Sequence, residues 1–151
     1  MQLAHYLTFL HRSQDALADA LRQVAEAHAD EPDVRQLCTR QAEVCRGHTE
    51  LLLPFVRSYA DPGAPEPERL HTDIFVAPRG PGLGLLRDLH DLYLMTAECD
   101  IVWTLVGQAA QGARDRELLA VVQRCEGEIA TQLTWLRTRL KQAAPQVLVV
   151  G

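Results

Sequence analysis

Residues 60–84, ADPGAPEPERLHTDIFVAPRGPGLG, separate two longer parts of the chain that differ from this segment in composition. The segment contains five of the eight prolines in the protein and four of its nine glycines. Proline removes a backbone donor and clashes with the preceding helical turn, and glycine weakens a helix interior. A continuous helix is therefore excluded here. We predict a crossover, residues 60–83, with residues 74–76 as a short extended piece packed on the body of the protein.

On both sides of the crossover, apolar residues recur every three or four positions, which is the spacing of one helix face. Before it, two such faces occur: Leu3, Leu7, Leu10, Leu17, Leu21 and Val24, then Val34, Leu37, Val44, Leu51 and Phe55. After it there are two more: Leu85, Leu89, Leu92, Trp103 and Val106, then Leu118, Val122, Ile129, Leu133, Leu136 and Leu140. The pattern predicts one domain over residues 1–151, with helices at 2–29, 33–59, 84–112 and 115–143.

The lengths of the connections predict how these helices are arranged. Short turns join the first two helices and the last two, whereas the crossover joins the two pairs. A bundle with one long crossover has the ferritin-like arrangement. We therefore predict an all-α, ferritin-like antiparallel four-helix bundle built from two helical hairpins. Asp33 and Asp115 are expected to cap the second and fourth helices, and Pro145 is expected to end the fourth.

Composition and charge exclude several classes of function. The formal net charge is −5, so the positive potential that drives non-specific nucleic-acid binding is missing. No apolar run is long enough to span a membrane, and Met1 is not followed by the basic stretch and apolar core of a secretion signal. We therefore predict a cytoplasmic protein with no nucleic-acid partner and no membrane span.

The midpoints of the four predicted helices bring polar and sulfur-containing side chains to one level of the bundle, where ferritin-like proteins place a dinuclear metal site. We call this set the polar layer; it consists of Gln14, Cys45, His48, Thr96, Cys99, Cys125 and Glu128. His48 is a titratable group on an apolar helix face. We expect it to be buried and hydrogen-bonded to Gln14, Thr96 or Glu128. Gln41 is expected to join Gln14 in a buried polar network.

The whole chain resembles the ferritin-like superfamily. The likeness to its small bacterial members, which have no agreed activity, comes from residues 96–150, TAECDIVWTLVGQAAQGARDRELLAVVQRCEGEIATQLTWLRTRLKQAAPQVLVV. The resemblance implies the fold and leaves the function open. Di-iron members use one Glu from each of two helices and Glu-x-x-His from each of the other two. At most two of these six ligands survive here: His48 is kept, and Glu128 stands where the second His is expected. The other positions hold Gln14, Thr96 or Cys99, Cys45 and Cys125. We therefore predict no working di-iron centre.

Three functions remain open, and we favour the first. It is a non-catalytic module that forms a homodimer or larger oligomer, or binds another protein. Trp135, Leu136 and the apolar tail 147–150 are its candidate surface, because aromatic residues are enriched at interfaces. No catalytic residue is assigned, since the sequence offers no evident nucleophile or group that would fix a substrate.

The second function is metal or small-molecule binding in the polar layer. Cys45, His48, Cys99 and Cys125 offer the soft donors that zinc or copper(I) prefers, and Glu128 lies beside them in sequence. The third function is a thiol-dependent enzyme, which needs an exposed cysteine of low pKa. The alternative to both functions is that the cysteines only fill the core, since a free cysteine usually behaves as a small buried hydrophobe.

Overall fold

The computed structural model describes residues 2–63, 65 and 73–151; the remainder of the predicted crossover lies outside the described residues. The described part contains no strand, which confirms the all-α class. It forms four helices, α1 Leu3–Ala27, α2 Pro32–Ser58, α3 Leu83–Gly112 and α4 Arg116–Pro145. Each helix boundary lies within two residues of its predicted position. None of the described helices is both long and apolar enough to cross a membrane.

The four helices pack as a bundle in which each helix has two neighbours. α1 packs against α2 and α3, and α4 packs against α3 and, more sparsely, against α2. The predicted apolar faces point inward: Leu7, Leu10, Leu17, Leu89, Leu92, Trp103, Leu118, Ile129 and Leu136 are fully buried. Burying one such side chain stabilises the fold by about 1.5–3 kcal/mol. The core therefore holds the helices in place, and the α2–α4 side is its least closely packed edge.

The N-terminal ends of α2 and α4 differ in how they are capped. Asp115 caps α4 as predicted, because its Oδ1 accepts a hydrogen bond from the Leu118 backbone N–H at 2.9 Å. The prediction for Asp33 was wrong. Pro32 occupies the first helical position of α2, and the capping residue Glu31 makes no side-chain hydrogen bond to the helix end. Proline is suited to that position because its missing N–H would be unpaired there anyway.

The C-terminal end of α4 also departs from the prediction. α4 runs through Pro145, and a π-helical turn, Gln146–Val150, continues the chain beyond it. A proline at the last position of a helix removes only one of its backbone hydrogen bonds, so the chain can keep turning. Leu148, Val149 and Val150 are exposed on this turn. The apolar tail thus lies mostly in solvent.

The part of the crossover before α3 runs beside the bundle without forming a strand. Phe75 packs against the core and Ile74 is half-buried, whereas Val76 is exposed. The predicted extended piece is therefore packed on the body through its first two residues. Arg79, which follows, leads into the buried polar cluster described below.

Candidate functional site

The polar layer contains a first buried group centred on His48. The His48 Nδ1 lies 3.3 Å from Gln14 Oε1, and the His48 Nε2 lies 3.6 Å from Glu128 Oε1. Gln14 and His48 are almost completely buried, and Glu128 is partly exposed. The Trp103 indole packs against the imidazole edge-to-face, with 5.7 Å between the ring centroids. The predicted buried, hydrogen-bonded histidine is therefore present, with Gln14 as its hydrogen-bond partner.

A second group in the layer surrounds Gln132, which the sequence analysis did not single out. The Gln132 Nε2 donates to Thr96 Oγ1 at 3.0 Å, and the Thr96 hydroxyl donates to the Leu92 carbonyl at 2.7 Å. The Cys45 thiol donates to Gln132 Oε1 at 3.8 Å. Gln132 is fully buried and lies three residues after the buried Ile129, so the spacing of the apolar face could have identified it. Thr96 and Cys45 are thus occupied by protein partners.

Gln41 does not join this layer. It is half-buried on α2, and no hydrogen bond links it to Gln14 within the described part of the chain. The predicted Gln14–Gln41 network is therefore absent from the described residues. Gln14 instead pairs with His48, and its Nε2 is buried without a hydrogen-bond partner among those residues.

The four cysteines are all described, and all are free and buried. Burial raises the pKa of Cys38, Cys45 and Cys125 to about 12, and it raises the pKa of Cys99 well above its ordinary value. Such thiols remain protonated at neutral pH, whereas the thiolate is the nucleophile and the metal ligand. The exposed, low-pKa cysteine that a thiol-dependent enzyme needs is not among them.

The candidate metal ligands do not form a coordination group. Among the described residues, no three His, Cys, Asp or Glu side chains are placed so that they could hold a metal ion. The donor set explains why a soft metal fits poorly here. Each thiol ligand would have to lose its proton, and burial opposes that loss at Cys45, Cys99 and Cys125. A di-iron site fits no better, because it needs hard carboxylate ligands and Gln14 and these thiols are not carboxylates.

The charge state of His48 follows from its surroundings. Burial lowers the pKa of His48, the Glu128 carboxylate opposes this shift, and the Arg124 guanidinium adds to it. The imidazole is therefore neutral at physiological pH, with one protonated and one unprotonated nitrogen. Because Gln14 Oε1 is an acceptor, the Nδ1 carries the proton and donates to it. The Nε2 then presents a lone pair towards Glu128.

A second buried polar cluster, which the sequence analysis missed, lies at one end of the bundle. We call it the end cluster; it comprises His28, Arg79, Asp88 and Asp91. Asp88 is fully buried and accepts three hydrogen bonds of 2.8 Å, from His28 Nε2, from the Arg79 backbone N–H and from Arg79 Nη1. Arg79 Nη1 also contacts Asp91 Oδ2 at 2.9 Å. The cluster thus ties the end of α1 and the crossover to the first turns of α3.

The positions of these residues on their helices could have revealed the end cluster. His28 comes four residues after the buried Val24, and Asp88 comes three residues after the buried Leu85. Both therefore continue an apolar face, on which a charged or titratable side chain needs a partner. The sequence alone does not indicate that Arg79, in the crossover, also binds Asp88.

The outer face of α3 exposes three large apolar side chains in a row. Leu94, Ile101 and Leu105 are 43%, 54% and 46% exposed. Each lies two residues after a fully buried residue of the same helix, which at 100° per residue places it on the opposite side. We call this row the α3 stripe. The surface predicted at Trp135 and Leu136 is not exposed in the same way as the α3 stripe: Leu136 is fully buried and Trp135 packs partly against the core.

That prediction failed for Leu136 because the residue continues the buried face of α4, seven residues after Ile129. The structural features that bear on function are therefore the polar layer, the end cluster, the α3 stripe and the exposed tail. No protein-family model, curated protein or solved structure matches the chain.

Proposed function

We propose that this protein is a non-catalytic, ferritin-like helical bundle that pairs with a second copy of itself through the α3 stripe. The single observation that carries the proposal is the row of exposed Leu94, Ile101 and Leu105 on the side of α3 that faces away from the core. The stripe extends over about 16 Å of helix, at about 1.5 Å per residue. Large apolar side chains exposed along one helix face are candidates for an interaction site.

The chemistry of the stripe suits a second copy. Leu94, Ile101 and Gln108 repeat every seven residues, which is the spacing of helix pairs. Across a two-fold axis at Ile101, an antiparallel copy of α3 would place Leu94 opposite Gln108 and Ala97 opposite Leu105. None of these positions carries a charge, so like charges are not forced together along the centre of the contact. Two-fold pairs are the commonest symmetric assembly of soluble proteins.

We propose a non-catalytic role because of the residues in the polar layer. The positions that hold carboxylate ligands in di-iron bundles carry Gln14, Thr96 or Cys99, Cys45 and Cys125, and the thiols are buried. Two helix pairs with short turns and one long crossover support the ferritin-like arrangement. The layer then has a structural role, since buried side-chain hydrogen bonds between helices, such as Gln132 to Thr96 and His48 to Gln14, favour one alignment of those helices.

Multi-angle light scattering during size-exclusion chromatography tests the pairing directly. The wild type should elute at twice the chain mass of 16.8 kDa and dissociate on dilution. Ile101→Lys should be monomeric at the same concentration, because it places a charge at the proposed two-fold axis. Val76→Lys is the matched control: Val76 is 87% exposed but lies off α3, and this variant should remain dimeric. A monomeric wild type, or a dimeric Ile101→Lys, would contradict the proposal.

A further inference from the structure

The sparsely packed α2–α4 edge contains a cleft of about 500 Å³ that opens to solvent. Gly47 lines the cleft, and the space beside it is open, because a Cβ added there would meet no atom within 4 Å. The imidazole of His48 lies in its floor, and Glu128 and Arg124 lie on the α4 wall. This cleft has no part in the proposed pairing of two chains, which uses the outer face of α3.

The floor of the cleft holds a buried polar atom whose pairing is incomplete. The His48 imidazole is 2% exposed, and its Nε2 has no hydrogen-bond partner among the described residues. Glu128 Oε1 lies 3.6 Å from this nitrogen, which is beyond hydrogen-bond distance. A buried polar atom left without a partner costs about 1–3 kcal/mol, so a group that satisfies it is favoured.

The hydrogen-bonding roles at this point specify what that group must be. Because the Nδ1 proton is donated to Gln14 Oε1, the Nε2 is an acceptor, and the Glu128 carboxylate is an acceptor as well. Two acceptors 3.6 Å apart require a group that donates at least two hydrogen bonds. A primary ammonium has three donors and no acceptor, which meets this requirement.

The charge of the cleft favours a cation over an anion. Its ionised side chains are two guanidinium groups, from Arg40 and Arg124, and three carboxylates, from Glu43, Glu50 and Glu128. The Arg124 Nε is 3.7 Å from the same Glu128 Oε1 that faces His48, but the Arg124 side chain is mostly exposed, so solvent screens this ion pair and weakens it. Val44 and Leu51 add apolar wall area beside the polar floor.

We propose that the α2–α4 cleft binds a small primary amine, whose ammonium donates hydrogen bonds to His48 Nε2 and to the Glu128 carboxylate. The apolar part of the amine lies against Val44 and Leu51. A metal ion would have only these two side chains as protein ligands, fewer than the three or four that zinc sites use. The amine needs no more than the two acceptors already in place.

The imidazole ¹⁵N NMR spectrum of His48 and a thermal denaturation series test the proposal with named compounds. In the free protein, the Nδ1 should be protonated and the Nε2 unprotonated. Butylammonium chloride should shift the Nε2 signal and raise the melting temperature until the effect saturates. Trimethylbutylammonium chloride has the same charge but no N–H donor, so it should do neither at the same concentrations.

Two variants separate a specific contact from general charge attraction. Glu128→Gln should weaken butylammonium binding at least about tenfold, because it replaces a charged hydrogen-bond acceptor by a neutral amide oxygen. Glu43→Gln makes the same change of charge at another carboxylate of the cleft and should change binding far less. Equal responses to the two cations or to the two variants would overturn the proposal. So would a proton on Nε2 in the free protein, or a response to zinc chloride without one to butylammonium.

Discussion

Asp88→Ala is expected to lower the free energy of unfolding by about 3–5 kcal/mol, because it removes a buried carboxylate from the groups that it binds. The magnitude follows from the geometry of the end cluster. Asp88 is fully buried and accepts three hydrogen bonds of 2.8 Å, two from the side chains of His28 and Arg79 and one from the Arg79 backbone. At about 1–1.5 kcal/mol net for each bond, their loss gives a similar total.

The assay is urea unfolding followed by far-ultraviolet circular dichroism. In a chain of this size, 1 kcal/mol corresponds to about 2–4 °C in melting temperature, so Asp88→Ala should also melt about 6–20 °C below the wild type. Asp91→Ala is the matched control: Asp91 contacts Arg79 through one ion pair and is partly exposed, so its loss should cost less than about 1 kcal/mol. An Asp88→Ala variant as stable as Asp91→Ala would refute this account of the end cluster.

Three further outcomes are expected. Gly107→Ala should destabilise the fold by about 1–3 kcal/mol, because the new Cβ would lie 2.9 Å from Val122 Cγ1 where α3 meets α4. Gly127→Ala should stabilise it by up to about 1 kcal/mol, because a Cβ there meets nothing within 4 Å. Urea unfolding of both variants measures the two changes in stability, and changes of the same sign would contradict this prediction. Burial lowers the pKa of His48 below 6.5, so the unfolded chain binds a proton that the folded chain does not. The free energy of unfolding should therefore fall as the pH decreases below about 6.5, and His48→Gln should reduce that fall. Superimposable profiles of stability against pH for the two proteins would exclude His48 as the cause. All four native cysteines should react with an alkylating reagent only as the chain unfolds, and one fast-reacting thiol in the folded protein would revive the thiol-enzyme hypothesis.

The helices were predictable because local spacing alone specifies them. The apolar face from Leu85 to Val106 repeats every three or four residues, and the prolines of the crossover exclude any other division of the chain. The capping of α2 was less predictable, since Pro32 and Asp33 are both common at a helix start and their order decides which position each takes. Spacing also placed His48 on a buried face and Gln14 at the same level of the bundle.

The contacts between distant parts of the chain were not predictable from spacing. Asp88 receives Arg79 from the crossover, and proline-rich segments have no periodicity from which a contact can be inferred. The α3 stripe was missed for a different reason. Helix α3 is apolar on most of its circumference, so Leu94 and Ile101 look like core residues until the buried face is known.

The contact between Trp103 and His48 gives the α2–α4 cleft an intrinsic optical reporter. Trp103 is one of only two tryptophans in the chain, it is fully buried, and its ring meets the imidazole edge-to-face at 5.7 Å. An indole in such surroundings emits at short wavelength, and its emission responds to any charge that appears on the neighbouring ring. Protonation or occupation of the cleft floor can therefore be followed by steady-state fluorescence in the unlabelled protein, with Trp103→Phe as the blank.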